Sequence, residues 1–144
     1  NLTYDILVYP HQLLAVLEFV RRFPAQRFVI DHLAKPSIRD GYRDGWALLL
    51  REIGRCPNVY CKVSGMVTEA DWKHWRYEDF EPYLEVVLEA FGPQRLLFGS
   101  DWPVCTVAAS YREVLGIVRR FADRLTEPEQ AALFAGNARR CYHL

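Results

Sequence analysis

Residues 27–36 read RFVIDHLAKP. The apolar centre of that stretch, closed by Pro36, reads as a short buried strand over 27–31 with a histidine at its carboxyl end. The same pattern recurs on both sides. Upstream, 5–9 (DILVY) is an apolar run closed by Pro10. It is followed over 12–22 by a stretch whose Leu13, Leu14, Leu17, Phe19 and Val20 form one broad apolar helical face, with Pro24 as the stop. Downstream, a helix is expected near 45–53, ended by Gly54. A third strand follows over 58–63 (NVYCKV), rich in β-branched and aromatic residues. After a polar, tryptophan-bearing loop over 64–77 come a helix over 78–91, ended by Gly92-Pro93, and a fourth strand over 95–99 (RLLFG). Ser110 caps a helix running to about residue 125. Thr126 and Glu129 then have the spacing of a capping box, with Pro128 in the first turn of a last helix. Gly136-Asn137 is expected to weaken or kink that helix.

The order is four βα units and one extra helix, an α/β chain. Short apolar strands alternating with amphipathic helices imply a parallel sheet with right-handed crossovers. Two architectures satisfy this. One is a small open doubly wound sheet. The other is half of an eight-stranded α/β barrel, whose full length is about 250 residues. Both gather functional residues at the carboxyl ends of the strands.

Composition narrows the function. The 144 residues are 51% hydrophobic and 14% aromatic, enough for one cored domain and unlike a disordered chain. Lys+Arg and Asp+Glu are 18 each, so no basic excess favours nucleic acid or an anionic membrane as partner. No apolar run is long enough to span a bilayer. The four cysteines form no C-x-x-C and no dense framework, which fits buried thiols in a reduced, cytoplasmic compartment. Asn1, not methionine, stands first, and a start inside a longer protein is expected. There is no G-x-S-x-G elbow, no phosphate loop and no G-x-G-x-x-G, so serine-hydrolase chemistry and nucleotide binding lose their main support.

The strand ends carry the polar residues. Tyr9, Pro10 and His11 follow the first, His32 and Lys35 the second, Lys62, Ser64 and Gly65 close the third, and Ser100, Asp101 and Trp102 follow the fourth. His32 alone also reads as a structural histidine and Asp101 alone as a turn cap. Together, an imidazole and a carboxylate are the parts needed to bind a divalent metal or activate a water. Lys62, in an apolar strand, pairs with an internal carboxylate or meets an anionic substrate. The loop bearing Glu69, Trp72 and Trp75 reads as a substrate wall or a cover on the rim.

The segments YDILVYPHQL, RFVIDHLAKP, NVYCKVSGMVTEADW, FGPQRLLFGSDWPVC and GNARRCYHL, in this order, resemble the sugar-lactonase branch of the amidohydrolase superfamily. The resemblance covers nearly the whole chain. It implies the second half, strands five to eight, of a (β/α)8 barrel, and hence a single partial domain over 1–144. It implies lactone hydrolysis, with Asp101 as general base on the attacking water and His32 as a metal ligand or carbonyl-polarising group. His11, Lys35, Lys62, Glu69 and Trp102 are the expected substrate contacts. The family includes zinc-dependent members, in which His32 and Asp101 would be ligands, and members that need no metal. The family's H-x-H motif, on its first strand, has no counterpart in these 144 residues. The chain is thus expected either to work with a missing N-terminal barrel half or to self-associate as a truncated, non-catalytic half.

Overall fold

A computed structural model describes residues 2–144. The strands are β1 (Tyr4–Ile6), β2 (Phe28–Ile30), β3 (Val59–Val63) and β4 (Leu96–Phe98), all parallel and in the sheet order β1-β2-β3-β4. Sequential order without a reversal decides between the two expected architectures. A doubly wound sheet reverses its strand order at a switch point and carries helices on both faces. Here α1 (Leu13–Arg22), α2 (Asp44–Gly54), α3 (Tyr77–Phe91) and α4 (Tyr111–Ala122) all contribute to one core. That core includes Ile6, Phe28, Ile30, Val59, Cys61, Val63 and Leu96 of the sheet. The intervening residues Val29 and Leu97 face the opposite side, with Tyr60 packed beside them. A layer made by α1 to α4 on one face of a sequential parallel sheet is the construction of a half barrel.

The strands are shorter than the sequence suggests. Of the run over 5–9 only Asp5 and Ile6 pair, with Val29 and Ile30 of β2. A 3-10 turn over Pro10–Gln12 leads into α1, and α4 stops at Ala122 rather than near 125. The Ser110 cap and the Thr126–Glu129 capping box both form. The Glu113 carboxylate accepts the Ser110 backbone N–H at 2.7 Å, and that of Glu129 accepts the Thr126 N–H at 2.8 Å. The irregularity expected at Gly136-Asn137 is a π-helical turn over Ala132–Gly136, between α5 (Glu127–Ala131) and α6 (Asn137–Tyr142).

That turn lets α6 fold across the inner face of the sheet. Cys141 packs on Val29 and Leu97, and buried Asn137 donates to the carbonyls of Pro93 and Leu96 at 2.8 and 2.6 Å. The Cys141 carbonyl accepts from Thr3 Oγ1 and Arg27 Nη1. The final helix is therefore bolted to the amino-terminal ends of the strands, which leaves their carboxyl ends open. At the same closed end Arg95 donates to the carbonyls of Gly54, Cys56 and Val59, satisfying backbone groups where α2 runs into β3. All four cysteines are buried free thiols.

Candidate functional site

His32 is held in an unusual backbone. His32, Leu33, Ala34 and Lys35 are consecutive non-glycine residues with φ of 51°, 53°, 56° and 47°. Each left-handed residue costs about 1–2 kcal/mol, so the surroundings must impose the turn. They do so from three sides. Leu33 and Ala34 are fully buried, Trp46 Nε1 of α2 donates to the Leu33 carbonyl at 2.7 Å, and Lys35 N donates to the His32 carbonyl at 2.8 Å. No glycine in DHLAKP announces this turn, so sequence patterning alone could not find it.

The turn aims the imidazole across the rim of the sheet. His32 Nδ1 lies 2.7 Å from Ser64 Oγ, just past β3, and Nε2 lies 3.5 Å from Asp101 Oδ1, past β4. Asp101 is also left-handed, at φ 57°, and its carbonyl accepts from Cys105 N at 2.8 Å. Gly65, at φ 64°, sits against the ring. A Cβ there would lie 2.7 Å from both Cβ and Cγ of His32. A Cβ on Gly99 would likewise lie 3.0 Å from Ser64 Cβ. Two glycines thus leave room for the His32–Ser64 contact. The sequence puts Ser64 and Gly65 at the rim without a role, and only the fold reveals what they touch.

The other expected contacts divide. Lys35 is paired with Glu69 at 2.8 Å, and with His11 these two line a cleft of about 490 Å³ walled by Tyr9, Tyr42 and Trp46. Burial opposes the charge on Lys35, but Glu69 outweighs it and raises its pKa above the ordinary lysine value. His11 stacks on Tyr9, with centroids 6.1 Å apart. His32, Asp101, Lys62 and Trp102 do not line this cleft. Trp102 projects into solvent at 65% exposure. In the loop after β3, Trp75 Nε1 donates to the Ala108 carbonyl at 2.9 Å and ties that loop to the one after β4.

Lys62 is committed inside the sheet. Its ammonium is 2.5 Å from Asp31 Oδ1, which is otherwise without a partner, and 3.1 Å from Asp5 Oδ2. Tyr142 of α6 donates its hydroxyl to the same Asp5. Of the two roles the sequence left open, the ion pair is the one formed. Burial works against the Lys62 charge, yet Asp31 and Asp5 hold its pKa well above the ordinary lysine value. A raised pKa adds stability that is complete below the unfolded value and fades as pH climbs through the folded one. Lys62→Met is therefore expected to cost about 2–3 kcal/mol near neutral pH, less than breaking a fully buried pair. In urea titrations the deficit of the variant holds steady up to about pH 10 and shrinks above it. A deficit that already vanishes at neutral pH would show the pair to be energetically idle.

The metal expectation can be tested on the donors present. Two ligands of a tetrahedral zinc with bonds of about 2.1 Å stand about 3.4 Å apart. The 3.5 Å between His32 Nε2 and Asp101 Oδ1 matches that spacing. A catalytic zinc takes three protein ligands, and among the described residues no group of three His, Cys, Asp or Glu side chains is placed to hold a metal ion. His32 and Asp101 have the spacing of two ligands, and the described residues do not make up a complete zinc site.

Comparison with known proteins bears on the whole chain. A family model described as amidohydrolase matches residues 1–144. An L-fucono-1,5-lactonase of Burkholderia multivorans is 48% identical over 98% of this chain, and one of Burkholderia ambifaria is 40% identical over 100% of it. The chain spans about half the length of these curated relatives, 51% of each. A crystal structure of an amidohydrolase from Burkholderia multivorans with bound zinc superposes with a TM-score of 0.95 at 47% identity, covering 99% of this chain and 52% of that one.

Proposed function

The chain belongs to the amidohydrolase family, and from that premise we propose that it is the C-terminal half, a single partial domain over 1–144, of a cytoplasmic barrel enzyme that hydrolyses a sugar-acid lactone. The observation that carries the reading is His32 Nε2 and Asp101 Oδ1 brought to 3.5 Å from two different strand ends. The names of the lactonase relatives support the substrate class.

Asp101 takes a proton from water as the water oxygen bonds to the lactone carbonyl carbon. His32 faces the carbonyl oxygen and stabilises the oxyanion. The ring C–O bond then breaks, and the proton on Asp101 passes to the leaving alkoxide. The cleft beside the rim, with Lys35, Glu69 and His11, offers charged and aromatic groups for the hydroxyls of the ring. A divalent metal such as zinc, when bound, would polarise the carbonyl from His32 and Asp101 together with ligands from the other half, and the steps above do not pass through it.

The 144 residues alone are expected to hydrolyse little or no lactone, since half of the rim is missing and the attack is not pre-organised. Co-expression with the N-terminal half of a lactonase relative should restore turnover on sugar lactones. Full activity from the lone chain would overturn the half-barrel reading, and no activity in any combination would overturn the lactonase reading.

A second reading, a self-associating half, is favoured by the outer strand. In and around β1, Leu2, Tyr4 and Leu7 are 89%, 57% and 59% exposed, and Phe19 of α1 and Phe23 just past it are exposed as well. An unpaired apolar edge is a template for association. In light scattering the lone chain is expected to run as a dimer or larger, whereas a stable monomer across concentrations would remove this reading.

A further inference from the structure

We propose that Ser64 is a positioning residue that donates its hydroxyl proton to His32 Nδ1 and so fixes the imidazole as the Nε2–H tautomer, with that N–H directed at the gap beside Asp101. The inference rests on the reading of His32 and Asp101 as the reacting pair.

Hydrogen-bond bookkeeping carries it. Ser64 is 0% exposed, and among the described residues its Oγ has one partner, His32 Nδ1 at 2.7 Å. A buried hydroxyl that only accepted from Nδ1 would leave its own proton without an acceptor, at a cost of about 1–3 kcal/mol. Donation to Nδ1 avoids that cost and places the ring proton on Nε2. The far side of the ring favours the same tautomer. With Nε2 bare, its lone pair would face the Asp101 carboxylate at 3.5 Å, acceptor against acceptor. With Nε2 protonated, the same contact is attractive.

The distance also suits the chemistry. At 3.5 Å the N–H and Asp101 are farther apart than the 2.9–3.0 Å of a made bond, so the donor is not locked onto the base. It can turn to a carbonyl oxygen placed next to the carboxylate. Gly65 and Gly99 allow the arrangement, because a Cβ at either position would crowd His32 or Ser64. Ser64 acts through His32 and touches no reacting atom. A metal on Nε2 would demand the reverse, with Nδ1 protonated and Ser64 accepting.

The test is nitrogen-15 NMR of the full polypeptide that carries residues 1–144, labelled in the histidine rings. His32→Gln assigns the His32 signals, and spectra are recorded without and with added zinc. A His32 pattern with the proton on Nε2, which mixes toward the other tautomer in Ser64→Ala, supports the proposal. A proton on Nδ1, a zinc-bound Nε2, or an Nε2–H state indifferent to Ser64→Ala overturns it. In kinetics, Ser64→Ala should lower kcat on a sugar lactone about 10–100-fold, with KM little changed. Unchanged kcat would deny Ser64 a part in turnover. The tautomer is read without substrate. A wild-type enzyme inert on lactones but showing the Nε2–H pattern would therefore refute the lactonase reading and leave the Ser64–His32 arrangement standing.

Discussion

Asp101→Asn in the intact enzyme is expected to lower kcat by at least ~10²-fold, the usual contribution of a positioned general base. The substitution keeps the shape of the side chain and replaces the basic carboxylate that takes the proton of water with a non-basic amide. It should leave the fold intact for a reason specific to this position. Asp101 lies at φ 57°, and asparagine is among the few residues that tolerate the left-handed region. The backbone bond from Cys105 N to the Asp101 carbonyl does not involve the side chain. A steady-state assay paired with a melting curve separates the roles. A folded variant with near-normal turnover would reduce Asp101 to a turn residue and remove the centre of the proposed mechanism.

The second large effect is on stability. Gly54 ends α2 where that helix meets α3, and a Cβ on it would lie 2.3 Å from the Ala90 carbonyl oxygen and 2.8 Å from its carbon. Both neighbours are backbone, so no side chain can swing aside. Gly54→Ala must push α2 and α3 apart at a buried contact beside the Arg95 bond to the Gly54 carbonyl. A cost of about 3 kcal/mol is expected, at the upper end of overpacking, with Tm falling roughly 6–12 °C. Gly116→Ala is the control. Gly116 lies on the exposed side of α4 with nothing within 4 Å of its would-be Cβ, and alanine there should add about 0.5–1 kcal/mol. Equal melting shifts for the two variants would show that helix propensity, not packing, governs both.

The sequence carried the elements through local signals. Apolar runs closed by proline, helical faces such as Leu13 to Val20, and the Ser110 and Thr126 caps all depend on residues near in the chain. The strand ends followed as well, and with them His11, His32, Lys35 and Asp101 as residues of one rim. Two architectures fitted this pattern equally, because βα alternation does not say which strands are neighbours. The order β1-β2-β3-β4 settled it, and strand order is a matter of pairing between segments some 25 to 35 residues apart.

The assignments within the rim were decided the same way. Lys62 was legible as a charge in an apolar strand, but its commitment to Asp31 and Asp5 required three strands side by side. The left-handed run from His32 to Lys35 has no glycine to signal it and exists because Trp46, from the next helix, holds the Leu33 carbonyl. Ser64 and Gly65 carried no pattern at all, since one hydroxyl and one missing Cβ gain meaning only against the ring they touch. Periodicity and capping report on neighbours in sequence. A hydrogen bond between residues 32 and 64, or a 3.5 Å gap between 32 and 101, depends on the packed sheet that brings them together.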